Sequence, residues 1–352
     1  MVVRLTPVFD GHNDVLLKIY RAGGLTAASG FLTGLDGAVD LPKAQAGGFV
    51  GGFFALFVPS DGGADLEAMS GSSYDLPLPL TVPIASQDAV QVVMAQAAIL
   101  RDLEARGALR IVTSVYDIQT AMAAGRMAAI FHMEGAEAID PDLNTLDVLY
   151  AAGLRSLGPV WSRPTIFGEG VPFRYPSTGD IGGGLTEHGM RLVQRCNELR
   201  IMLDLSHLNE AGFWDVARLS DAPLVATHSN SHTLCPHARN LTDDQLRAIA
   251  DSDGMVGLNF ATAFLRADGK MGADTPLETM LRHLDHMIGI LGEDRVGFGS
   301  DYDGAIVPQD VATVAELPVL VEAMRDHGYG AALIDKLCYR NWLRVLADTW
   351  GG

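Results

Sequence analysis

Short apolar runs alternate with longer helical patterns along nearly the whole chain, and no other feature constrains the fold as tightly. The runs predict strands at Val8–His12, Gly52–Val58, Ala128–Met133, Arg155–Val160, Ile201–Ser206, Leu224–Thr227, Met255–Asn259 and Val296–Gly299. Between them the 3.6-residue period predicts helices at Ser86–Arg106, with Ser86 as N-cap, and at Thr186–Arg200, Leu277–Leu291 and Val311–His327. Strands joined through helices pair in parallel. Eight such units predict an α/β fold, a (β/α)8 TIM barrel over residues 1–352 as one catalytic domain. A doubly wound open sheet is the alternative, but no glycine-rich dinucleotide fingerprint follows the first strand. Ile111–Thr113 reads as a ninth, short strand outside the barrel. Two long connections rich in Gly, Pro and Ser, at about 59–85 and 162–184, follow strands, which places them on a barrel's catalytic face.

Composition narrows the function. The 352 residues carry a formal net charge of −18, with 48% apolar residues. That charge speaks against a nucleic-acid partner and against an anionic membrane surface. The cysteines Cys196, Cys235 and Cys338 form no CxxC pair and read as buried thiols. No apolar run is long enough to span a bilayer, and MVVRLTPVFDGHND has no room for a signal-peptide core. The expectation is a soluble cytoplasmic protein.

The informative polar residues fall at the ends of the apolar runs. The first strand ends in His12-Asn13-Asp14, and residues two apart on a strand share a face. The third ends at Glu134, the fifth at His207, the sixth at His228 and the eighth at Asp301. A barrel brings such ends together. Buried carboxylates must be paired or metal-bound. Three imidazoles with three carboxylates suit zinc, and the donors are too many for one open catalytic zinc. Two ions sharing a bridging carboxylate account for the number.

These residues sit in stretches that resemble the membrane (renal-type) dipeptidases, peptidase family M19 of the amidohydrolase superfamily. The stretches are DGHNDVL, DLPKAQAGGFVGGFFALFV, HMEGAEAI, GLTEHGMRLVQRCNELRIMLDLSHLNEAGFWDV, THSNSHTLCPHARNLTDDQLRAIA, LRHLDHMIGILGEDRVGFGSDYDG and NWLRVLA. The resemblance implies two Zn2+ ions, with His12 and Asp14 on one, His207 and His228 on the other, and Glu134 bridging. It implies hydrolysis of small dipeptides by a hydroxide held between the metals, with Asp301 as acid/base. Arg239 matches the arginine that receives the substrate's C-terminal carboxylate, a pairing that suits a planar guanidinium. The resemblance allows a homodimer.

The chain departs from the renal pattern at two substrate-facing positions. Trp161 stands where those enzymes carry a histidine that contacts the substrate carbonyl, and Asn259-Phe260-Ala261 replaces a stretch with an additional aromatic. An indole N–H donates one hydrogen bond but carries no charge, so Trp161 either walls the pocket or helps weakly, and Arg163 is a candidate substitute cation. The departures favour, as an alternative, a related binuclear amidohydrolase acting on N-acyl amino acids or β-lactam-like amides. Among the remaining polar residues, His132 reads as a core histidine, His283 and His286 as surface groups sharing a helix face, and His232 and His237 as neighbours of Arg239. Asp303 reads as a group that orients its surroundings.

Overall fold

The structure is a computed structural model that describes residues 5–60, 72 and 82–351. Among the described residues nine parallel strands form one sheet: β1 (Val8–Asn13), β2 (Phe49–Phe57), β3 (Leu109–Ile111), β4 (Met127–Glu134), β5 (Leu154–Leu157), β6 (Met202–Leu203), β7 (Val225–Ser229), β8 (Met255–Asn259) and β9 (Val296–Gly299). The order is β6-β5-β4-β2-β1-β9-β8-β7, with β3 paired to the N-terminal residues of β4. A parallel bridge from Asp204 to Val225, with the Leu205 N–H donating to the Val225 carbonyl at 2.8 Å, joins β6 to β7. The path thus closes into the (β/α)8 barrel that the alternation predicts, and the extra short strand lies at Leu109–Ile111, two residues before the expected Ile111–Thr113.

Why these runs become strands follows from burial. Every residue of β1, β4, β7, β8 and β9 is buried, as expected where helices cover the outer face and side chains fill the inner one. Phe9, Phe53, Ile130, Met202, Val225, Met255 and Trp342 belong to one buried apolar cluster, separate from a larger one. Trp342 comes from the C-terminal helix Asn341–Trp350 and inserts its indole among strands, donating from Nε1 to the Phe298 carbonyl at 2.9 Å. Gly11 and Gly257 make room for it: a Cβ at either would strike both the Trp342 ring and the Thr227 carbonyl.

Several boundaries differ from expectation. Ser86 is not an N-cap; it is the first residue of the helix Ser86–Ala105, and Ala85 stands at the cap with no side-chain bond. The segment 311–327 is not one helix. Two 3-10 turns, Gln309–Val311 and Val314–Glu316, precede a helix at Leu317–Asp326, because Pro318 fits only a first turn and Thr313 with Glu316 closes a capping box. The expected fourth and fifth strands, Arg155–Val160 and Ile201–Ser206, are shorter than expected, at β5 and β6. Most of the connection at 59–85 lies outside the described residues. The connection at 162–184 is irregular, and its Gly170 bridges to Leu208.

Candidate metal centre

All six expected ligand and acid/base residues meet at the C-terminal ends of the strands, the catalytic face of such barrels. His12 lies in β1 and Asp14 just after it; Glu134 ends β4; His207 follows β6; His228 lies in β7; Asp301 follows β9. Glu134 sits between two groups. Its Oε2 is 3.6 Å from His12 Nε2, and its Oε1 is 3.0 Å from His207 Nε2 and 3.5 Å from His228 Nε2. His12, Asp14 and Asp301 converge one ligand atom each, as do Glu134, His207 and His228, with the atoms of each trio within 4.8 Å of one another.

The donor chemistry fits cations. His207 and His228 place their Nε2 atoms 3.0 Å apart. Burial, with neighbouring cationic groups, pushes both imidazoles well below their ordinary range, which favours the neutral ring with one nitrogen lone pair free for a cation. Burial pushes Glu134 well above its ordinary range, with Asp14 and Asp301 repelling its charge. Burial would lower His12, but the fields of Glu134, Asp14 and Asp301 outweigh it and carry the imidazole up to about 10. A field that holds a proton so firmly favours a divalent ion more. His12 Nε2, the ring nitrogen that faces Asp14 and Glu134, and Asp14 Oδ1 are buried and have no hydrogen-bond partner among the described residues, as ligand atoms would be.

The backbone at the site is strained. His207, Asp301 and Asp303 hold φ of 69°, 61° and 66°, left-handed values that cost a non-glycine residue on the order of 1–3 kcal/mol. The Asp301 N–H donates to the His12 carbonyl at 3.0 Å, which fixes one of these turns against β1. Burial raises the Asp301 carboxyl above its usual range, against the pull of His12, Asn259 and Arg239.

Around this centre stand the three expected substrate-side residues. Arg239 is buried. It donates from Nη1 to Ser229 Oγ at 3.1 Å and from Nη2 to the His228 carbonyl at 2.9 Å, while its Nε has no partner among the described residues. Asn259 has both amide ends engaged: Nδ2 donates to Asp301 Oδ2 at 2.9 Å and Oδ1 accepts from the Ala261 N–H at 2.6 Å. Trp161 is half-buried beside His207, at 5.8 Å between ring centroids, and packs on Phe57 and Phe173.

Other expectations need correction. Arg163 is no substitute cation for the site. It is fully buried, its Nε donates to Glu137 Oε1 at 2.6 Å, and its other nitrogens donate to Ser60 and the Val58 carbonyl. His283 is not a surface group but 1% exposed, with Nδ1 accepting from the Ser231 N–H and Nε2 donating to the Leu265 carbonyl. His132 is buried as expected, with Nδ1 on Ser156 Oγ, and Asp303 accepts from the Ala38 N–H.

Four supporting residues escape the sequence reading. Asp10 accepts from the Ser300 N–H and hydroxyl, both at 2.7 Å, just before Asp301. Asp204 lies behind His228, Thr227 contacts His228 Nδ1 at 2.8 Å, and Ser162 contacts His207 Nδ1 at 2.8 Å. A signal existed for the two acids. Asp10 continues the period-two series of His12 and Asp14, and Asp204 is a lone acid in the apolar run IMLDL.

The closed parallel barrel and the histidine–carboxylate cluster at its C-terminal face define a metal-dependent hydrolase of the amidohydrolase type. More narrowly, the chain belongs to the membrane dipeptidase family, peptidase family M19, whose profile matches residues 1–350. It is 54% identical to a metallo peptidase from Rhodobacter sphaeroides, solved with a phosphinate mimic of the dipeptide L-Ala-D-Ala. That structure has a TM-score of 0.94, with 99% of this chain and 100% of that one covered. A second solved M19 metallo peptidase, dipeptidase AC, is 52% identical with a TM-score of 0.93 over 99% and 100% of the two chains. An uncharacterised protein from the region 5′ of pqqA in Klebsiella pneumoniae is 48% identical over 265 residues, 75% of this chain and 98% of that protein. The chain is thus a metallo-dipeptidase by family, and no described helix is long and apolar enough to cross a membrane.

Proposed function

We propose that this enzyme is a zinc-dependent dipeptidase with two ions, His12 and Asp14 holding one, His207 and His228 the other, and Glu134 bridging. The observation that carries the reading is the split engagement of Glu134, one oxygen toward His12 and the other toward His207 and His228. Such ions supply Lewis acidity toward the scissile carbonyl and a water of lowered pKa.

The protein's own groups do the rest. Asn259 Nδ2 fixes Asp301 through Oδ2, so Oδ1 is the atom that takes a proton from the attacking water and passes it to the departing amine nitrogen. Its raised affinity for a proton suits a group that must both accept and release one. Arg239, clamped by Ser229 and the His228 carbonyl, offers its unpartnered Nε–H to the substrate's terminal carboxylate. Trp161 walls the pocket beside His207 rather than carrying charge. Asn259 acts as a positioning residue for Asp301.

The ligand of the Rhodobacter sphaeroides relative supports a dipeptide with a D-residue at its C-terminal position, since a phosphinate imitates a tetrahedral adduct. A screen of L,L- and L,D-dipeptides on metal-analysed protein tests the reading. Turnover of dipeptides, with L,D pairs included, is expected. Turnover of N-acyl amino acids alone would replace it with the alternative amidohydrolase.

A further inference from the structure

The side chains behind His228 form a chain of hydrogen bonds whose direction can be worked out. Asp204 Oδ1 accepts from two backbone N–H groups, Ser206 at 3.0 Å and Thr227 at 2.8 Å. Its Oδ2 lies 2.6 Å from Thr227 Oγ1, and that same hydroxyl lies 2.8 Å from His228 Nδ1. A carboxylate only accepts and a hydroxyl has one proton. The Thr227 proton therefore goes to Asp204, and Thr227 Oγ1 can only accept from His228 Nδ1–H. That leaves His228 Nε2 as a bare lone pair aimed at Glu134 Oε1 and His207 Nε2.

We infer that Asp204 and Thr227 are a positioning relay that fixes the tautomer of His228, so that Nε2 is always the atom presented to the metal centre. The inference rests on the proposed role of His228 as a ligand. Asp204 also converges with His12 and His228 within 4.8 Å, but its Oδ2 lies on the Nδ1 side of the His228 ring, 3.9 Å away, and not on the Nε2 side that faces Glu134. Its anionic charge, passed through the hydroxyl, makes the imidazole a better donor, as carboxylates behind metal-bound histidines do.

The relay makes an asymmetric prediction. Thr227→Val keeps the shape and breaks the relay. Asp204→Asn reverses it. The two backbone N–H groups hold the amide oxygen where Oδ1 was, so the NH2 group faces Thr227 Oγ1 and donates to it. Thr227 then donates to Nδ1, and the proton of His228 moves to Nε2.

Chelator competition on the zinc-loaded full-length protein reads the affinity of each ion, and 15N spectra of labelled histidines before and after metal removal read the tautomer. Expected are a loss of roughly 10- to 100-fold in the affinity of one ion with Thr227→Val, the other ion unaffected. Thr227→Ser restores affinity to near wild type. The wild-type protein shows His228 with Nδ1–H, and Asp204→Asn shows it with Nε2–H. Full affinity in Thr227→Val beside a loss in Asp204→Asn would make Asp204 a direct ligand and overturn the relay. So would the same His228 tautomer in wild type and Asp204→Asn. If the wild-type protein held no ion, the metal reading would fall alone, and the tautomer comparison would still decide the relay.

Discussion

Asp301 and Arg239 feel each other's charge, but they are predicted to fail in different ways when altered. Asp301→Asn keeps size and the contact with Asn259 while removing the proton carrier. Zinc content should stay unchanged and kcat should fall roughly 10²–10⁴-fold, measured on metal-analysed protein. Unchanged turnover would remove Asp301 from its role. Arg239→Ala should raise KM for dipeptides with a free C-terminal carboxylate and leave C-terminally amidated dipeptides nearly untouched. Equal losses on both would assign Arg239 to holding Ser229 and the His228 carbonyl instead. At the residue level the candidate metal cluster is legible in sequence, because His12, Asp14, Glu134, His207, His228 and Asp301 fall at the ends of apolar runs, where an unpaired charge is costly. Arg163 is not. A cation near the site in sequence looks available, and only the fold reveals that Glu137 and the Val58 carbonyl hold it.

Fully buried parallel strands are legible as continuous apolar runs, which is why β8 and β9 match expectation to the residue. The helix Leu277–Leu291 also matches, yet its face is misread at His283. Spacing pairs His283 with His286, but loops after β7 and β8 fold over the first and leave the second to meet Asp243. A periodic pattern records one helix, not what covers it. The burial of His283 makes stability depend on pH. Burial pushes His283 from 6.5 down to about 4, so the unfolded chain binds this proton more readily than the folded one. Its contribution is absent above about pH 6.5, and stability falls as pH drops through the window from 6.5 to 4, by on the order of 3 kcal/mol. Urea unfolding at pH 7 and pH 4.5 should show a steeper acid loss in the wild type than in His283→Gln. Parallel losses would mean that His283 does not titrate in this way.

For the molecule as a whole, the inside of the barrel is closed partly by an element from outside it. Trp342 arrives from the last helix, and Gly11 and Gly257 leave the space it fills. Such packing is invisible in the strand pattern, because the residue and its socket lie more than 80 positions apart. Trp342→Ala should cost about 3–5 kcal/mol, seen as a lower denaturation midpoint. A loss below about 1 kcal/mol would show that the barrel does not depend on this plug. The same closed frame holds five strand ends together, and the site depends on it. The most direct measurement is a zinc titration of chelator-stripped protein while hydrolysis of L-Ala-D-Ala is followed. Activity should rise from near zero and level off at two ions per chain. A plateau at one ion, or no dipeptide hydrolysis at any zinc level, would contradict the two-metal dipeptidase.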